Sequence, residues 1–181
     1  MSDSFDSGVS GNADSDLRLA RLADAAEIAS ISRDYIELEL PWRWRPAKIT
    51  EALGSGQCAG VVADRGAFLA GFALMRFGES CSHLFLMAVR PKFRCQGLAE
   101  RMLTWLERSA MTAGCFRVSL EVREDNEAGH RFYRRNGFRI VDHIEGYYYG
   151  QASALRMVKT LGEEPFDDTS GWQVGYEFLS T

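Results

Sequence analysis

Only four cysteines occur in 181 residues, at Cys58, Cys81, Cys95 and Cys115, with no C-x-x-C pair and no histidine at ligand spacing. That excludes a spacing-defined zinc site and a disulfide framework, and leaves reduced thiols as the simpler state. Histidine is scarcer still. His83, His130 and His143 form no paired arrangement with Ser or Cys, so none carries an expected catalytic role. No apolar run approaches the roughly 20 residues that span a bilayer. The opening stretch MSDSFDSGVSGNADSD is polar and acidic, without the apolar core of a secretion signal. A formal net charge of −4 lacks the broad basic surface that nucleic-acid binding needs. The expectation is a soluble cytoplasmic protein with no metal, no membrane contact and no nucleic-acid partner.

What is present has the makings of one domain, with 46% hydrophobic and 25% charged residues and no internal repeat. Residues 1–15 are rich in Ser, Asp and Gly and read as a disordered tail. A strand over Leu17 to Leu22 follows, with Leu17, Leu19 and Leu22 turned inward. Asp24 and Glu27 form a capping-box pattern, and the stripe Ala25, Ile28, Ala29, Ile31, Tyr35, Ile36, Leu38 predicts a helix to about Leu40. LPWRWRP breaks it. A second helix covers Ala47 to Leu53, and strands follow at Cys58 to Asp64, Ala67 to Arg76 and Ser82 to Val89, the first two joined by Arg65-Gly66.

One stretch orders the rest. Met87 to Leu106 reads MAVRPKFRCQGLAERMLTWL: an apolar run stops at Val89, a basic loop turns on Gly97, and an amphipathic helix continues to Gly114. N–H groups at a helix N-terminus lack intrahelical partners and carry partial positive charge, so a tight turn there cradles an anion. Glycine lets the backbone approach closely, and Arg90, Lys92 and Arg94 add charge. The pattern predicts a phosphate-bearing ligand held by this loop.

Downstream, Phe116, Val118, Leu120 and Val122 share one face of a strand, with Arg117, Ser119, Glu121 and Arg123 on the other. Asn126 to Asn136 reads as a helix stopped by Gly137, and Arg139 to Tyr149 and Ala152 to Leu161 as two strands. Residues 16–161 thus form a mixed α/β domain of order β-α-α-β-β-β-α-β-α-β-β. Residues 162–181 read as an acidic linker and an extra C-terminal strand, in which Trp172, Val174, Tyr176 and Phe178 alternate with small or polar residues. Such a strand suits a sheet edge in the same chain or in a second copy, as in a homodimer.

The order and the loop resemble the GNAT superfamily of acyl-CoA N-acyltransferases. The superfamily's signature is a strand, a loop of the type Q/R-x-x-G-x-G/A, and a helix. It is matched here by Arg94-Cys95-Gln96-Gly97-Leu98-Ala99, preceded by Val89-Arg90-Pro91. The likeness continues through LEVREDN and FYRRNGF. Within the superfamily, the second half is similar to bacterial ribosomal-protein-alanine N-acetyltransferases. The shared features are L-E-V-R-x-x-N at Leu120 to Asn126, a Tyr twelve residues after its Glu (Tyr133 after Glu121), and the pair Tyr147-Tyr148. LPWRWRP and the final strand depart from that pattern.

The resemblance implies a mostly antiparallel twisted sheet flanked by helices, with acetyl-CoA as cosubstrate. It implies direct transfer to a primary amine in a ternary complex. Met87, Ala88 and Val89 would meet the pantetheine arm, and Arg94, Cys95, Gln96, Gly97, Leu98 and Ala99 the pyrophosphate. Cys95 would not form an acyl-enzyme, since the superfamily uses direct attack. Glu121 is the implied base, directly or through water, against the alternative of an ordinary Glu on a solvated face. Tyr133 is the implied acid, against simple packing with Phe132 and Phe138. Asn126 either contacts CoA or caps its helix. Trp42, Trp44, Tyr147 and Tyr148 are candidates for the acceptor side, with packing as the alternative for at least one of the tryptophans. A protein α-amine, with pKa near 8, is roughly a tenth neutral at pH 7, whereas a lysine amine is about one part in two thousand. The preferred acceptor is a protein N-terminal α-amine. A small-molecule amine, or a non-catalytic acyl-CoA-binding module on the same scaffold, is the alternative.

Overall fold

The computed structural model describes residues 17–162; the expected N-terminal tail and the strand over Trp172 to Phe178 lie outside the described residues. The chain runs β1 (Leu17–Leu19), α1 (Ala25–Tyr35), α2 (Pro46–Gly54), β2 (Cys58–Asp64), β3 (Leu69–Phe77), β4 (Cys81–Val89), α3 (Leu98–Thr112), β5 (Arg117–Arg123), α4 (Glu127–Arg135), β6 (Arg139–Tyr148) and β7 (Ala152–Thr160). The described strands form one sheet of seven, in the order β1-β2-β3-β4-β5-β7-β6. Every pairing is antiparallel except β4 with β5. No helix of the described residues is long and apolar enough to cross a membrane.

Alternation along the strands builds two cores. Val61, Ala73, Met75 and Leu84 face α3 and meet its stripe of Leu98, Met102 and Leu106. Val62, Phe72, Leu74 and Leu86 face the other way and bury Ile28, Ile31 and Ile49 of α1 and α2. One irregularity matters. Leu74 pairs with Leu86 and Met75 with Leu84, so Phe85 is an extra residue in β4. This bulge puts Phe85 and Leu86 on the same side, against the α1–α2 cluster.

Three local expectations are corrected. β1 is a short edge strand, so only Leu17 reaches the core; Leu19 and Leu22 are exposed. Asp24 does not cap α1 with its side chain. Its carboxylate instead accepts from Arg18 and from the backbone N–H of Arg21 at 2.7 Å. Glu27 crosses to β3 and accepts from the N–H of Leu69 at 2.8 Å. Finally α1 stops at Tyr35, five residues before Leu40, and Glu39 adopts φ +65°. Pro41 forces Leu40 out of the helical region, which requires a turn before it.

β3 and β4 approach closely where they lead into the loop. A Cβ on Gly71 would lie 2.7 Å from the carbonyl oxygen of Ala88 and 3.1 Å from Val89 Cγ2. Because the obstructing atom is backbone, Gly71→Ala is expected to destabilise the fold by about 1–3 kcal/mol. Denaturant unfolding checks this, and a midpoint equal to the parent's contradicts it.

Candidate active site

The parallel pairing of β4 and β5 lasts only three residues, Cys81↔Arg117, Ser82↔Val118 and His83↔Ser119. Past that point β4 keeps β3 as its neighbour and β5 keeps β7. The two strands therefore part. Between them lies a cleft of about 2340 Å³ lined by Leu84 to Val89 on one side and Glu121 to Arg123 on the other.

The loop before α3 closes one end. Cys95 and Gly97 both take left-handed backbone, at φ +59° and +75°, and Gly97 is the N-cap of α3. Such winding turns successive N–H groups towards one side. Arg94 donates from Nε to the carbonyl of Val89 at 3.1 Å, tying the loop to the end of β4. Arg94, Cys95, Gly97, Leu98 and Ala99 line the cleft, as do Met87, Ala88 and Val89. Gln96 does not line it; its side chain donates to the carbonyl of Lys92 at 3.2 Å and shapes the turn. The expected basic charge is also reduced. Arg90 is held by Glu27 and the carbonyl of Leu69, and Lys92 lies over the rings of Phe68 and Phe93. Cys95 is an exposed free thiol. Asn126 caps α4, accepting from the N–H of Gly129 at 2.9 Å, and also lines the cleft.

At the other end Glu121 is not a solvated side chain. Its register partner on β7 is Arg156, which donates from Nε at 2.8 Å. The Tyr147 hydroxyl donates to it at 3.2 Å, and His83 Nε2 lies 3.2 Å away. Burial alone pushes the carboxyl up; the hydrogen bonds and charges of His83 and Arg156 outweigh it and hold the group at about 2. His83 Nδ1 sits 3.0 Å from Ser119 Oγ, so the histidine assigned no Ser partner from the sequence has one across the strand pair. His130 and His143 remain apart from this group, against the carbonyl of Arg123 and against Glu124.

Tyr133 lines the cleft from the opposite face of the sheet. Its ring packs edge-on against Phe132 and Phe138, beside the α3 cluster. Its hydroxyl makes no hydrogen bond among the described residues, and burial pushes its pKa well above the ordinary phenol range. Packing and an available hydroxyl therefore coexist in this residue.

Of the aromatic candidates on the α1–α2 side, Trp44, Tyr147 and Tyr148 line the cleft and Trp42 does not. Trp42 packs against the α1–α2 core beneath the guanidinium groups of Arg33 and Arg45. The loop is organised by a residue the sequence reading missed. Glu37 is buried, and its carboxylate accepts from the N–H groups of Arg43 at 2.7 Å and Trp44 at 3.2 Å and from Ser32 Oγ at 3.2 Å. In the sequence it hid inside an apolar stripe; the following Leu-Pro was the available signal.

The sequence model of the acetyltransferase (GNAT) family matches residues 23–138, more than half of the chain. The chain belongs to this family. Solved structures agree in fold. Ard1 from Thermoplasma volcanium superposes with a TM-score of 0.72 at 21% identity, covering 81% of this chain and 97% of that one. The ribosomal-protein-S18-alanine N-acetyltransferase from Escherichia coli gives 0.70 at 21% identity, covering 85% and 97%. NAA60 from Arabidopsis thaliana, in complex with acetyl-CoA, gives 0.68 at 19%, covering 80% and 97%. The bulged β4 and the parting of β4 from β5 are thus features of an acetyltransferase. Among its described residues no group of three or more His, Cys, Asp or Glu is arranged to hold a metal ion.

The carboxylate network predicts an acid-sensitive fold. A folded-state value depressed from 4.5 to about 2 contributes stability that is present above pH 4.5 and lost as pH falls through that window. About 2 kcal/mol should go between pH 6 and pH 3. Glu121→Gln lacks this component, so its stability deficit against the parent is expected to shrink by that amount over the range. A deficit independent of pH contradicts the prediction.

Proposed function

We propose that this acetyltransferase transfers an acetyl group from acetyl-CoA directly to a protein N-terminal α-amine. The observation that carries the reading is the open edge of β4 beside an α3 N-terminus. Past His83 the edge of β4 that faces away from β3 has no partner strand and suits the amides of a pantetheine arm, and the Gly97 turn suits a pyrophosphate. In this arrangement Met87 and Val89 pair with the arm, and the loop from Arg94 to Ala99 holds the phosphates chiefly through backbone N–H groups. One structural neighbour in complex with acetyl-CoA and two with coenzyme A support the choice of donor.

The amine attacks the thioester carbonyl, the C–S bond breaks, and the thiolate leaves with a proton supplied by Tyr133. The raised pKa of Tyr133 keeps its hydroxyl protonated at neutral pH and available to hydrogen-bond the departing sulfur, while weakening it as an acid, so the proton moves only as charge builds on the thiolate. Glu121 needs a different reading from a strong base. A carboxylate held at about 2 takes a proton directly from an ammonium of pKa near 8 only at a cost of about 8 kcal/mol. Its charge orients the amine, and the proton leaves through water. A site with so weak a base favours an acceptor that is already partly neutral. The α-amine exceeds lysine there by about 3 kcal/mol. The fold likeness to an alanine N-acetyltransferase supports the same choice.

A thiol-release assay with acetyl-CoA against N-terminal peptides, lysine peptides and small amines tests the reading. Turnover is expected with the N-terminal peptides. Response from lysine peptides or small amines alone overturns the acceptor, and saturable CoA binding without turnover on any amine overturns the transfer. Tyr133→Phe is expected to lower kcat at least about tenfold with CoA affinity retained; an unchanged kcat removes Tyr133 from the chemistry.

A further inference from the structure

The wall of the cleft on the α1–α2 side carries a cluster that the chemistry just described does not use. Trp44 and Phe85 stack with centroids 4.9 Å apart and planes 29° from parallel. Each ring carries a cation. Lys48 Nζ lies 5.2 Å from the Trp44 centroid, and Arg76 Cζ lies 5.7 Å from that of Phe85. Arg43, next to Trp44 in the chain, joins them at the cleft wall. The arrangement depends on two devices. The β4 bulge turns Phe85 to this side, and Glu37 fixes the loop that presents Trp44.

Three cations, Arg43, Lys48 and Arg76, gather on this wall in a chain of net charge −4. Glu37 and Glu51 line the same cleft and offset part of that charge; Glu37 is held by the N–H groups of Arg43 and Trp44, and Glu51 is exposed, leaving cations in excess by one. Lys48 makes no hydrogen bond or ion pair among the described residues. Burial, and then the charges of Arg43 and Arg76, lower its pKa. A cation held over an aromatic face beside like charges gains from any anion that enters. Arg76 is also the register partner of His83, so the cluster adjoins the Glu121 end of the cleft.

We infer that the wall formed by Trp44, Lys48, Arg76 and Phe85 is a specificity subsite for an acidic segment of the acceptor, a peptide with carboxylates close behind its reactive N-terminus. This rests on the acetyl-transfer reading of the cleft and names the acceptor class for it. A polycationic amine is repelled by the same wall. The aromatic pair supplies a flat apolar surface for the peptide between its amine and its carboxylates.

The test measures kcat/KM for three peptides sharing one N-terminal residue, with positions two to four acidic, neutral or basic. Alongside are three small amines bearing a carboxylate, no charge, or a second amine. The acidic peptide is expected to exceed the neutral one by at least about fivefold and the basic one by more, with the preference shrinking as salt is raised. Lys48→Gln is expected to bring the acidic-to-neutral ratio towards one, and Lys48→Glu to invert it; Arg76→Gln gives an independent reduction of the ratio. Equal kcat/KM for acidic and neutral peptides, or a ratio unmoved by all three variants, overturns the subsite while leaving acetyl transfer to peptides intact. If peptides fail and small amines react, the peptide reading falls. The order of the three small amines then decides the charge preference by itself.

Discussion

The active cleft exists because β4 and β5 stop pairing after His83 and Ser119. A parallel pair left in contact would satisfy its peptide groups strand to strand and leave no room between. Here β5 continues its ladder with β7 alone through Arg123, and β4 continues with β3. The edge of β4 is thereby free to pair with something that is not a strand, and Gly97 aims a helix N-terminus at one end of the gap. Tyr133 packs with the α3 side, whereas Glu121 points to the face opposite Leu120 and Val122, so the two side chains reach one cleft from opposite faces of the sheet.

The electrostatics follow from register. Glu121 and Arg156 face each other because β5 and β7 pair in the register that sets Leu120 against Met157, and the ion pair is therefore built into the sheet. Burying such a pair is a poor source of net stability, since desolvation consumes much of the attraction. What it provides is a carboxylate of fixed position and fixed charge. It sets an anion in the cleft, with Lys48, Arg43 and Arg76 on the wall beside α2.

How much of this was readable beforehand depends on whether the relevant contact is local. The turn at Gly97 and the alternation of Phe116 to Arg123 are local chain chemistry, and the structure places both as the sequence suggests; of the two roles open to Asn126, the structure shows the cap. Contacts between distant segments were not legible. No spacing rule connects His83 to Ser119 or Glu121 to Arg156, because strand register sets both pairs. Arg90 looked like ligand charge but serves Glu27, sixty-three residues away. Trp42 and Trp44 are indistinguishable by composition; the carboxylate of Glu37 decides which of them lines the cleft and which fills the core.

The central claim is that the free edge of β4 and the turn before α3 together receive the donor. Backbone amide hydrogen exchange, with and without saturating acetyl-CoA, tests it most directly, because it reads the peptide groups themselves. The account predicts slowed exchange, by roughly tenfold or more, at amides of the open β4 edge between Leu84 and Val89 and of Cys95 to Ala99. Saturable binding that leaves those amides unprotected, or protects a different part of the sheet, would contradict it.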